Sequence, residues 1–189
     1  GDDNKGDECC ICLEELPKHT TKFVRMTCCG NGMHDHCTTD LVSMKMSGSC
    51  PLCRAKTPTS HEEHIKYLRP WVKKKKAWAL HMMAKHYRDG EGVKQSYEIA
   101  RRLFEQVAQQ GDVPAIFSLG VMYHYGQGVE QSYERAFEYY EQAADLGFAD
   151  AQFNLGVMYF NGTGVVRDMA KTKEWWTKAA AQGEKNAIK

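Results

Sequence analysis

No cysteine occurs beyond Cys53 in a chain of 189 residues, although the chain holds eight. A disulfide framework distributes its cysteines over a small fold, so this clustering argues against one. An excess of charge of one sign is missing as well: the formal net charge is +1, which gives no electrostatic case for nucleic acid or a membrane surface. No apolar run approaches the roughly 20 residues that cross a bilayer, and no signal-peptide pattern opens the chain. Nothing resembles a catalytic triad or a pair of catalytic carboxylates. What is present is an ordinary globular mixture, 42% hydrophobic and 26% charged, long enough for one large or two small domains.

The cysteines fall largely in close pairs: Cys9-x-x-Cys12, Cys28-Cys29, His34-x-x-Cys37 and Cys50-x-x-Cys53. A C-x-x-C knuckle turns the backbone so that two thiolates reach one metal, and zinc takes four such ligands in a tetrahedron. Eight ligands in four pairs make two closed zinc sites, which hold structure rather than activate water. Choosing Cys28 and Cys29 reaches eight without Cys10. His36, beside Cys37, is the alternative member of that pair. Cys10 has no paired base in view and is not read as a nucleophile. Thiolate-bound zinc implies a reducing compartment, cytoplasmic or nuclear.

C-C-I-C at the start, M-H-x-x-C in the middle and C-P-L-C-R at the end resemble a RING finger, over residues 9–56. The resemblance implies interleaved sites: Cys9, Cys12, His34 and Cys37 on one zinc, and Cys28, Cys29, Cys50 and Cys53 on the other. The departure is the second pair, where Asn31 stands at a place that often holds histidine. A PHD finger shares the ligand order, but its usual tryptophan would fall at Gly48, whereas Pro51 and Arg54 are RING-like. The resemblance further implies a ubiquitin ligase of the allosteric kind, which forms no covalent intermediate. Ile11, Leu41 and Pro51 would make a groove for a ubiquitin-conjugating enzyme, and Arg54 would reach both enzyme and ubiquitin.

Residues 1–8 are polar and read as disordered. The stretch between Cys12 and Cys28 reads as a loop leading into a short strand. After Cys37, TTDLVSMKM reads as a short helix in which Leu41, Val42 and Met44 can turn inward. Residues 55–60 form a linker by composition, and Ser60 with Glu63 makes an S-x-x-E capping box. The helix it starts is expected over 61–77, bent at Pro70 and continuing past Trp71. Lys73–Lys76 reads as a solvated corner.

Beyond it the chain repeats. Ala79, Ala115, Ala151 and Ala187 are spaced by 36 residues, and Tyr87, Tyr123 and Tyr159 keep the same period. So do Gly90, Gly126 and Gly162, as well as Gly111, Gly147 and Gly183. A fixed period of this size signals a solenoid of stacked units, here 79–114, 115–150 and 151–186. Each reads as helix, G-x-G-V loop, helix. Leu119, Met122 and Tyr123 mark an apolar stripe on the first helix. Ala100, Phe104 and Ala108, then Ala136, Tyr140 and Ala144, mark the second. Gly120 and Gly156 allow close helix approach, the loop valines tuck under the turn, and Gly111, Gly147 and Gly183 cap the second helices. Recurring without a preceding strand, the G-x-G loop is punctuation rather than a nucleotide site.

The pattern A-x-x-x-L-G-x-x-Y-x-x-G-x-G-V resembles Sel-one-like repeats, with Met83-Ala84 replacing Leu-Gly in the first copy. The resemblance implies an adaptor surface for a protein substrate or partner. The expected architecture is therefore a small two-zinc finger followed by an all-α solenoid, with helix 61–77 as its N-terminal cap. Of the paired aromatics Tyr139/Tyr140 and Trp175/Trp176, one of each is expected in the core. His81, His86 and His124 are expected on the surface or in a groove. The competing functional class is a non-catalytic scaffold.

Overall fold

The computed structural model describes residues 55–183, together with the backbone of 23–25 and 32–34. The two short segments form an antiparallel pair, β1 (Phe23–Arg25) and β2 (Gly32–His34), in register Phe23 with His34 and Arg25 with Gly32. β1 is the short strand expected before Cys28.

Residues 55–183 contain seven helices: α1 (His61–Lys73), α2 (Ala77–Asp89), α3 (Tyr97–Ala108), α4 (Val113–Tyr125), α5 (Tyr133–Asp145), α6 (Ala149–Asn161) and α7 (Met169–Ala181). They form an all-α solenoid in which each helix packs on the next. The first helices α2, α4 and α6 end on Gly90, Gly126 and Gly162 at φ +74°, +65° and +70°, a left-handed turn that favours glycine.

The second helices begin at Tyr97, Tyr133 and Met169, and α1 begins at His61, spaced by the same 36 residues. Their N-caps follow suit. Ser60, Ser96 and Ser132 each accept from the backbone N–H three residues on, at 3.3, 3.3 and 3.2 Å. Asp168 does the same from Ala170 and Lys171. These bonds satisfy donors that the first turn leaves open. At α1 the capping box differs in one detail: the Glu63 carboxylate reaches Thr59, accepting from its backbone N–H at 2.8 Å and its hydroxyl at 3.0 Å, rather than the N–H of Ser60.

α1 thus stands where the second helix of a preceding repeat would be. Ile65 and Leu68 bury against Ala79 and Met83 of α2. Next come Leu80, Ala84, Ala100, Phe104, Leu119 and Met122, then the cluster from Val113 to Tyr159, so one core runs from α1 into the last repeat.

Two boundaries differ from expectation. α1 ends at Lys73 instead of running to 77, because a corner over Lys74–Lys76 follows, with Lys75 in the left-handed region at φ +54°. The caps of α3, α5 and α7 are Gln109, Leu146 and Gln182, with Gly111, Gly147 and Gly183 just beyond them. The last turns tighten into i→i−3 bonds, such as Gly147 N–H to Ala144 O at 2.9 Å, which shifts the left-handed residue past the cap.

Lys75 occupies the position of Gly111, Gly147 and Gly183, whose φ values are +84°, +86° and +86°. An L-residue there bears about 1–2 kcal/mol of strain, partly offset by the greater unfolded-state freedom of glycine. Lys75→Gly is therefore expected to stabilise the array by about 0.5–1 kcal/mol in urea unfolding. A loss of stability would contradict this assignment of the corner.

Candidate partner-binding site

The expected finger residues, Cys9, Cys12, Cys28, Cys29, Cys37, Cys50 and Cys53 with Ile11, Leu41, Pro51 and Arg54, lie outside the described residues, as does the helix expected after Cys37. Of His34 the structure gives the backbone, at the end of β2.

The repeats carry two grooves in corresponding places. The first, of about 620 Å³, lies between α1, α2 and α3, with a floor of Ile65, Met83, Tyr87, Val93, Ile99 and Leu103 and an α1 side bearing Lys66, Arg69 and Lys73. The second, of about 610 Å³, is lined by Tyr123, Val129 and Arg135, with Glu130, Glu134 and Arg101. One position separates their chemistry. Arg135 covers Tyr123, its guanidinium 5.3 Å from the ring and donating to the hydroxyl at 3.1 Å. Lys171 treats Tyr159 alike, at 4.9 and 3.3 Å. At the first joint the corresponding residue is Ile99, aliphatic and 40% exposed. The first groove is therefore apolar at the position where a cationic side chain covers Tyr123 and Tyr159, and it carries Lys66, Arg69 and Lys73 along one side.

The expected close approaches occur. A Cβ on Gly120 would meet the Tyr140 ring at 2.7 Å, and one on Gly156 the Trp176 ring at 2.4 Å. Val93, Val129 and Val165 pack half-buried against the core. Of the aromatic pairs, Tyr140 is buried while Tyr139 is half-buried and stacked on Tyr123 at 5.5 Å. Trp175 and Trp176 are both half-buried, so neither is the fully buried core member expected of that pair. The Trp176 indole N–H donates to Phe153 O at 3.2 Å. The Lys73–Lys76 run is a corner, and the Lys74 ammonium sits 4.8 Å from the Trp71 ring.

The histidines divide. His81 is half-buried and bonded to Asp112 at 3.1 Å, and His124 packs among Tyr125, Tyr133 and Tyr140. His86 corrects the expectation of a surface or groove residue: it is buried, 6% exposed, because its position faces the core of the joint. Its Nδ1–H donates to the Glu91 carbonyl at 2.9 Å, and its Nε2 lies 2.9 Å from His64 Nδ1. His61 Nδ1 and Glu91 Oε2 pair at 3.3 Å on the outer side. Burial, then the charge repulsion of neighbouring histidines, holds His64 below the usual histidine range, and burial does the same to His86 against the pull of the Glu91 carbonyl. The sequence reading passed over this cluster. Its signal was columnar: His86 stands where the next repeats have Met122 and Met158, and His64 where they have Ala100 and Ala136.

Compared with known families, residues 7–54 match the Ring finger domain, and residues 79–112, 113–148 and 149–184 match the Sel1 repeat. No curated protein matches the chain in sequence. Among solved structures, c5321, a protective antigen of uropathogenic Escherichia coli with an SLR fold, is 29% identical over 70% of this chain and 28% of its own, with a TM-score of 0.63. A Sel1 repeat protein from Oxalobacter formigenes is 25% identical over 70% of this chain and 54% of its own, with a TM-score of 0.64. Helicobacter pylori cysteine rich protein B shares the fold at 19% identity, covering 69% of this chain and 96% of its own, TM-score 0.56. The chain thus spans between about a quarter and a half of the first two structures. Three consecutive matched repeats, coinciding with helices α2 to α7, place this chain in the Sel1 repeat family, with a zinc-binding RING-type finger preceding the repeats.

Proposed function

We propose that this protein is a RING-type ubiquitin ligase that works without a covalent intermediate and uses its repeats to hold a protein substrate or adaptor. The observation that carries the reading is the joining, in one chain, of a RING-type finger over 7–54 to a repeat array with an apolar, basic-sided groove. The finger holds two zinc ions, one on Cys9, Cys12, His34 and Cys37 and one on Cys28, Cys29, Cys50 and Cys53. Ile11, Leu41 and Pro51 offer an apolar seat to a ubiquitin-conjugating enzyme. Arg54 presents a planar, always-charged fork that can donate to enzyme and ubiquitin together. The substrate or adaptor lies in the groove of Tyr87, Ile99 and Leu103, its acidic residues toward Lys66, Arg69 and Lys73. Thiolate-held zinc suits a reducing compartment, cytoplasm or nucleus.

Truncating one buried apolar anchor of an interface costs about 1–3 kcal/mol, roughly a fivefold to hundredfold loss of affinity. Ile11→Ala is therefore expected to weaken binding of a conjugating enzyme by that factor in calorimetric titration, with zinc content unchanged. Unchanged affinity would remove Ile11 from the seat, and failure of the unmodified chain to bind any conjugating enzyme would sink the ligase reading.

A further inference from the structure

We propose that His61, His86 and Glu91, with His64 as fourth donor, form a divalent-metal site at the joint between α1 and the first repeat, with zinc as the ion their chemistry favours. One donor atom from each of His61, His86 and Glu91 lies within 4.8 Å of the others. A tetrahedral zinc with ligand bonds of about 2.0–2.1 Å sets its donors about 3.3–3.4 Å apart. His61 Nδ1 and Glu91 Oε2 already stand 3.3 Å apart.

The tautomer of His86 is fixed as a ligand requires. A carbonyl oxygen only accepts, so the bond to Glu91 O at 2.9 Å puts the ring proton on Nδ1 and leaves the Nε2 lone pair for the cluster. His64 Nδ1, 2.9 Å away, donates to that lone pair while the ion is absent. Moving the His64 proton to its other nitrogen turns this donor into a fourth ligand, and the contact opens by a few tenths of an ångström.

The other repeats supply an internal comparison. At the two later joints the columns of His64 and His86 hold Ala100 with Met122 and Ala136 with Met158, all buried and apolar. The columns of His61 and Glu91 hold Tyr97 with Gln127 and Tyr133 with Thr163. Packing of the joint therefore needs none of these four ionisable groups, yet all four coincide at one joint. A hydrogen-bonded His64–His86 pair and a His61–Glu91 ion pair account for these groups two by two, whereas one shared ion accounts for the convergence of all four. His61 and Glu91 are exposed and give an ion its path in, while buried His86 anchors the inner side. The bound ion would pin the start of α1 to the glycine loop after α2.

The test uses the full chain with its finger metals left in place, titrated with cobalt(II) alone. The expected result is one further ion with the visible spectrum of nitrogen and oxygen ligation and no thiolate charge-transfer band, accompanied by a rise in Tm of about 3 °C or more. The double variant His61→Ala, Glu91→Gln alters two exposed side chains; it should keep its metal-free Tm and bind that ion at least about tenfold more weakly. Absence of the thiolate-free ion in the unmodified chain, or its retention by the double variant with undiminished affinity, would overturn the site.

Discussion

Gly92→Ala is expected to destabilise the repeat array by about 3 kcal/mol. Two costs add at this position. Its φ of +71° burdens an L-residue with about 1–2 kcal/mol. The added methyl would also lie 2.7 Å from the carbonyl carbon of His61 and 2.8 Å from the nitrogen of Glu62. These are backbone atoms at the first turn of α1, so no side-chain rotation relieves the clash and the helix must move, at a further cost of about 1–3 kcal/mol. Gly111 serves as the control: its φ is +84°, but nothing lies within 4 Å of a Cβ there, so Gly111→Ala should cost only the backbone strain, about 1 kcal/mol. Urea unfolding of both variants reads the difference. Equal losses would mean that α1 does not sit against the glycine loop. The comparison also tests the cap, because Gly128 meets Tyr97 and Gly164 meets Tyr133 in the same manner, both at 2.6 Å.

The solenoid was legible because its determinants are local and recur. Loop glycines and an apolar stripe each leave a mark within a few residues, and the 36-residue period multiplies it. Two features escaped for physical reasons. The end of α1 was placed too late because the left-handed residue there is Lys75, and only a glycine announces that conformation in a sequence. The histidine cluster was missed because its members come from two segments, His61 with His64 and His86 with Glu91, brought together by packing of α1 on the loop. Metal spacing along the chain is a signal for knuckles such as Cys9-x-x-Cys12, and it is blind to donors assembled across a joint. The ligand assignment in the finger, including the Cys28/Cys29 pair, rests on the residue pattern, since those residues lie outside the described ones.

Arg54→Ala is expected to suppress ubiquitin transfer while leaving enzyme binding and zinc content intact. Hydrogen bonds from a charged donor contribute about 1.5–3 kcal/mol each, so their loss in the activated complex lowers the rate by roughly tenfold to hundredfold. A positioning residue of the fold would instead reduce binding, zinc content and rate together. The most direct measurement is single-turnover discharge of ubiquitin to free lysine from a panel of charged conjugating enzymes. The intact protein should accelerate discharge from at least one of them, Ile11→Ala should require more protein for the same rate, and Arg54→Ala should bind but fail to accelerate. Discharge no faster than that of the conjugating enzymes alone, across the whole panel, would contradict the ligase reading and leave the chain a non-catalytic scaffold.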